Sequence, residues 1–140
     1  MTDERRFLTD LVLPAARIAS REIAAALAPL GLAPAQYAIL DMIGRHGDMR
    51  PAMIARRLDL ETSTTTNTLQ RTERDGFIDR QTEPNNSRMV LISLSEKGKA
   101  VLVDARVAVQ EVEARALAGT APENMEAARE FLARLMANLK

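Results

Sequence analysis

The stretch from Pro51 to Leu94 changes its hydrophobic period partway along, and few architectures accept such a stretch. Ile54, Ala55 and Leu58 recur at helical spacing behind Pro51, whose missing N–H is harmless in a first turn. Asp59-Leu60-Glu61 interrupts the pattern only briefly. A second helical stretch begins at Thr62, whose hydroxyl can cap it, and runs to about Asp75 before Gly76 stops it. The period then falls to two: Phe77 to Glu83 reads as a strand, Pro84-Asn85-Asn86-Ser87 as a turn, and Arg88 to Leu94 as a second strand.

Two short helices joined by about three residues form a helix-turn-helix candidate. A β-hairpin placed directly after them is the wing of a winged helix-turn-helix, with basic residues near its tip in reach of a phosphate backbone or minor groove. The expected class is therefore mainly α with a small β-hairpin wing (α+β).

Helical patterns flank this unit on both sides. From Glu4 to about Leu27, Leu8, Val12, Ala15, Ala19, Ile23 and Leu27 recur every three or four residues, and Pro14 should kink the helix or mark a second start. A helix from about Pro34 to Arg45 follows, carrying Tyr37, Leu40 and Ile43 and capped at His46-Gly47. Beyond the cap Ser95, Leu102, Ala105, Val109, Val112 and Ala116 form one seam, and after Thr120-Ala121-Pro122 a second comprises Met125, Ala128, Leu132, Leu135 and Leu139. Val101, Val103, Val107 and Ala108 widen the first seam beyond what one partner helix uses. The surplus predicts contact with a second subunit; the alternative is a monomeric bundle that buries everything internally.

Composition narrows the function. A chain of 140 residues suits one domain. With no Cys, disulfides, thiolate zinc clusters and cysteine redox switches are excluded, and with His46 as the single histidine no cofactor or metal is expected. Met1 to Arg6 is polar and lacks the apolar run of a secretion signal, and no stretch is long and apolar enough to span a bilayer, so a cytoplasmic location and no membrane partner are expected. Nothing marks an enzyme: there is no Gly-rich phosphate loop, no Cys nucleophile, and no serine with a histidine base nearby in sequence. Charge is the contrary signal, because 19 basic residues balance 19 acidic ones. Yet 16 of those 19 are Arg, whose planar fork suits phosphate and guanine, and Arg50, Arg56, Arg57, Arg71, Arg74, Arg80 and Arg88 fall in the central third.

On a helical wheel the Thr62–Asp75 stretch divides in two. Thr65, Thr68, Leu69 and Thr72 share a structural face, their hydroxyls able to bond back to the preceding turn. Ser63, Asn67, Gln70, Arg71 and Arg74 share the opposite face, with Thr64 beside them. Asn and Gln pair bidentately with adenine and Arg with guanine, while hydroxyls near a helix start can meet a phosphate or a base edge. These six, with Arg88 on the wing, are the expected contacts to double-stranded DNA.

From Leu32 to Leu102 the sequence resembles the MarR family of bacterial transcription regulators. The resemblance rests on Leu32-Ala33-Pro34-Ala35-Gln36-Tyr37, Ile54-Ala55-Arg56-Arg57-Leu58, Arg71-Thr72-Glu73-Arg74-Asp75-Gly76-Phe77-Ile78, Pro84-Asn85-Asn86-Ser87-Arg88 and Leu94-Ser95-Glu96-Lys97-Gly98. It implies a single domain, with residues 1–31 and 95–140 as dimerisation helices and 32–94 as the DNA-binding lobe. It further implies a homodimeric repressor on an inverted repeat, and a small aromatic or other organic effector for which Arg17, Arg21 and Tyr37 are the candidate residues. The sequence departs from the family pattern at Ala33 in place of a capping Thr, Thr72 in place of a core Leu, and Asn86 in place of the wing Asp that orients the arginine matching Arg88. A winged-helix module that binds protein without specific DNA binding is the rival reading.

Overall fold

A computed structural model describes residues 4–140, so Met1, Thr2 and Asp3 of the polar N-terminal stretch lie outside the described residues. A 3₁₀ turn (Glu4–Arg6) and a π-helical turn (Leu8–Val12) lead into α1 (Leu13–Leu27). Pro14 accounts for the widened turn. It has no N–H to return to Asp10, and the preceding Leu13 N–H bonds five residues back to the Leu8 carbonyl. Pro14 thus sits in the first turn of α1 and restarts the helix.

There follow α2 (Pro34–His46), α3 (Pro51–Leu58), α4 (Thr62–Arg74), β1 (Ile78–Glu83), β2 (Asn86–Leu94), α5 (Glu96–Ala116) and α6 (Pro122–Leu139). This is the expected α+β class, a helical body with one antiparallel hairpin. Two details differ from the sequence expectation. Thr62 does not cap α4; Glu61 holds that position in extended backbone and makes no side-chain bond to the helix. The reason lies one turn back, where Asp59 adopts the left-handed conformation (φ 54°, ψ 45°), closes α3 and returns the chain to a helix start one residue early. The hairpin turn also contracts to Pro84-Asn85, with Glu83 facing Asn86 across it.

The core gathers around α2. Ile39, Leu40, Met42 and Ile43 pack with Leu27 and Leu32, with Ile54 of α3, Leu69 of α4, Phe77, Ile78 and Ile92 of the hairpin region, and Leu102, Ala105 and Val109 of α5. Each large aliphatic side chain so buried contributes about 1.5–3 kcal/mol relative to exposure. Gln36 is buried among them and fully used: its Oε1 accepts the Ala33 N–H at 2.9 Å and its Nε2 donates to Asp75 Oδ2 at 2.9 Å. Ala33 has no side-chain acceptor, so only this return half of a capping box forms.

The flanking helices behave differently. Leu102, Ala105, Val109 and Val112 of the α5 seam are buried, but Ala116, Val103 and Val107 are exposed. In α6 only Met125 and Leu135 of the seam are even half-buried, while Phe131, Leu132, Met136 and Leu139 are 43–71% exposed. At the other end of the chain Leu8, Leu11, Leu13 and Ile18 are exposed, and there Phe7 meets Phe131 edge-on with centroids 5.2 Å apart. A single chain therefore does not bury its apolar surface internally.

The entry to α5 is tightly built. Ser95 Oγ accepts the Gly98 N–H at 3.0 Å, as expected of a cap, and donates to the Gly76 carbonyl at 2.6 Å. A Cβ on Gly98 would overlap the Phe77 carbonyl oxygen, a backbone atom that cannot rotate away. Gly98→Ala should therefore destabilise the fold by about 1–3 kcal/mol through overpacking. Urea denaturation of the purified variant measures this, and an unchanged midpoint would mean the junction opens freely.

Candidate nucleic-acid interface

The interface is assembled from α3, α4 and the hairpin. Arg50 precedes α3, and Met49 pairs with Ile92 of β2 through two backbone hydrogen bonds of 2.8 and 3.1 Å, so the hairpin base is stitched to the start of the helix-turn-helix. On α4 the two predicted faces are realised. Thr65, Leu69 and Thr72 are buried and Thr68 is half-buried. Their hydroxyls donate to carbonyls one turn back: Thr65 to Glu61 at 3.0 Å, Thr68 to Thr64 at 2.8 Å and Thr72 to Thr68 at 2.6 Å. Thr72, polar where a core leucine is usual, is thus buried with its hydroxyl satisfied.

Ser63, Thr64, Asn67, Gln70, Arg71 and Arg74 are all exposed on the other side. Arg71 lies 4.0 Å from the Asp75 carboxylate, while Asn67, Gln70 and Arg74 have no side-chain partner among the described residues. Such a row of unspent donors and acceptors on one helix face can be satisfied by base edges and phosphates.

On the hairpin the ladder breaks between Thr82 and Glu83. Thr82 pairs with Val90 and Glu83 with Asn86, leaving residues 87–89 of β2 without counterparts on β1. Arg88 is exposed within this bulge. Asn86 Oδ1 accepts the backbone N–H of Arg88 at 3.1 Å, so the amide that replaces the usual aspartate holds the main chain of the arginine. Sequence reasoning missed the ion pair beside it, in which Arg50 binds Glu83 through Nη2 to both carboxylate oxygens at 2.9 Å and through Nε at 3.1 Å. The one signal was an arginine standing at an N-cap, where a side-chain acceptor is preferred.

The three effector candidates divide between α1 and α2. Arg17 and Arg21 are exposed on α1, whereas Tyr37 is half-buried on α2 with Asp41, Arg106, Arg45 and Glu113 as its charged neighbours. Glu22 and Asp41, the carboxylates nearest in sequence, bind Arg115 (3.3 Å) and Arg106 and Arg45 (3.0 Å each) instead. A groove of about 540 Å³ opens between α2, the hairpin base and α5, lined in part by Gly44, Gln81, Ser93, Lys99 and Arg106. Among the described residues no group of three or more His, Cys, Asp and Glu is arranged to hold a metal, and no single helix is long and apolar enough to cross a membrane.

Residues 32–90 match the sequence profile of the MarR family, and a probable transcriptional regulator from Pseudomonas aeruginosa is 31% identical, with 91% of this chain and 98% of that one covered and a TM-score of 0.76. The chain belongs to the MarR family. The HTH-type transcriptional repressor Rv2887 of Mycobacterium tuberculosis is 29% identical over 106 residues, 75% of this chain and 76% of that protein. A MarR mutant from E. coli, solved in complex with operator DNA, shares the fold with a TM-score of 0.85 at 21% identity, covering 96% of this chain and 99% of that one. Both α4 and the bulge of the hairpin lie within the matched residues 32–90.

Tyr37, the only tyrosine, offers a direct probe of the α2–α5 region. Burial, and then the Asp41 carboxylate, raise its phenol above the ordinary 10.0, against the opposing pull of Arg106 and Arg45. A raised folded-state value means that the stabilisation of the neutral phenol is complete below the unfolded value and is lost as pH climbs through the folded one. Phenolate absorbance should accordingly titrate above the free amino acid, and stability in the same alkaline interval should fall more for the parent than for Tyr37→Phe. A midpoint at the free value would mean that the ring is solvated.

Proposed function

We propose that this chain is a sequence-specific, double-stranded-DNA-binding transcription regulator that acts in the cytoplasm as a homodimeric repressor. The observation that carries the reading is the division of α4: an inner face whose hydroxyls are all used, and an outer face whose Asn67, Gln70 and Arg74 are not. The outer face enters the major groove, where Asn67 and Gln70 meet adenine and Arg71 and Arg74 meet guanine or phosphate, while Ser63 and Thr64 approach the backbone. Arg88 reaches phosphate or the minor groove from the wing. The repressor names of relatives such as Rv2887 support the direction of control.

Dimerisation would cover the open apolar faces of the N-terminal turn, α5 and α6, where Leu11, Ile18, Val103, Val107 and Phe131 are exposed. Two-fold symmetry then calls for an inverted repeat with half-sites about one helical turn apart. An organic effector belongs to the same reading, with Arg17 and Arg21 supplying charge for a carboxylate and Tyr37 a half-buried ring.

The test is a fluorescence titration of duplexes recovered by selection on the parent protein, at several salt concentrations. Arg74→Ala and Asn67→Ala should each lose about 1–3 kcal/mol of binding and discriminate less between base pairs. Arg88→Ala should weaken all sequences alike and reduce the salt slope by about one. Flat, sequence-blind binding by the parent would favour the protein-binding module instead. In sedimentation the parent should run as a dimer and Ile18→Glu/Val107→Glu, which charges two exposed apolar positions, should run as a monomer; a dimeric double variant would move the interface elsewhere.

A further inference from the structure

The ion pair between Arg50 and Glu83 joins two parts of the molecule that local sequence does not connect. Arg50 occupies the N-cap of α3 yet gives the helix no side-chain bond. Its guanidinium turns outward and makes three hydrogen bonds to one carboxylate, two of them at 2.9 Å to separate oxygens. Glu83 is the last residue of β1 and lies opposite the bulge that carries Arg88. Met49, next to Arg50 in the chain, holds the hairpin base through the paired backbone bonds to Ile92. Two consecutive residues, Met49 and Arg50, therefore grip the hairpin at two heights, once on each strand.

An exposed pair of this kind adds little to folding stability, since half of the Arg50 side chain is open to solvent. Its effect lies in geometry. A two-stranded ribbon is pliant by itself, and its outer end swings about whatever fixes its base. Three charge-assisted bonds near the tip remove that swing, because the fork geometry admits one orientation of the carboxylate. A carboxylate close to a duplex would otherwise repel phosphates, so its place on the wing is explained by the arginine it holds.

We infer that Arg50 and Glu83 act as a strut that orients the wing and presents Arg88 to the duplex, as positioning residues and without touching the DNA themselves. The inference rests on the DNA-binding reading above. It makes a prediction that simple charge counting reverses: Glu83→Ala removes a negative charge beside the duplex, yet should weaken binding.

The experiment compares Arg50→Ala, Glu83→Ala and the exchanged pair Arg50→Glu/Glu83→Arg with the parent, using the selected duplex and amide hydrogen exchange of residues 85–90 in DNA-free protein. Thermal midpoints confirm that each variant is folded. Both single variants should bind about tenfold more weakly with the parent's salt slope, and exchange at the wing tip should quicken. The exchanged pair should recover most of both. Binding by Glu83→Ala equal to or tighter than the parent's, or unchanged exchange in both single variants, would overturn the strut. A salt slope lowered by about one in Arg50→Ala alone would also overturn it, by making Arg50 a phosphate contact. Should the parent bind no duplex at all, the DNA reading falls, and the exchange measurement still decides whether the strut exists.

Discussion

The end of α4 is the point on which the rest of the molecule depends. The Asp75 carboxylate takes the buried Gln36 amide, the Asp75 carbonyl takes Lys97 Nζ at 2.7 Å, and the next two carbonyls are bound from Ser95 through its hydroxyl and its N–H. The Lys97 ammonium also lies 4.8 Å above the Phe77 ring. Helices α2 and α5 thus both end their bonds on one short turn. The direction of α4 is set relative to α5, the helix whose outer side faces the second subunit in the proposed dimer.

Around this joint the chain uses polar groups sparingly and completely. The buried polar side chains Gln36, Thr65 and Thr72 all have partners, and no buried side-chain N or O among the described residues is left unbonded. The charges remain outside, which reconciles a neutral chain with a DNA-binding role. Acidic residues are spent on particular arginines, as in Asp41 with Arg106, Glu73 with Arg80 and Glu83 with Arg50, while Arg74 and Arg88 keep no acidic partner among the described residues. What matters to a duplex is which arginines remain unpaired, and net charge does not report that.

Much of this was legible in the sequence because it depends on local chemistry. Pro51, Gly76 and Pro84 mark boundaries that the backbone obeys, the Ser95 cap forms, and the Thr65–Leu69–Thr72 face is buried as its period requires. The misplaced cap at Thr62 shows where such reading stops. A left-handed Asp59, with the Leu60 N–H bonded back to the Ala55 carbonyl at 3.0 Å, moves the helix start by one residue, and an aspartate announces such a turn less plainly than a glycine. Contacts between distant residues were not legible at all: Gln36 to Asp75 spans 39 positions and Arg50 to Glu83 spans 33. The effector candidates Arg17, Arg21 and Tyr37 come from the family resemblance alone, two on α1 and one on α2.

The threonine side of α4 carries one last implication. Because Thr65, Leu69 and Thr72 bury the inner side while the threonine hydroxyls bond back within the helix, the opposite side owes nothing to the core. Substitutions there alter stability by about half a kcal/mol or less. A lineage carrying this scaffold can therefore vary the outer side of α4 one exposed residue at a time without unfolding the helix.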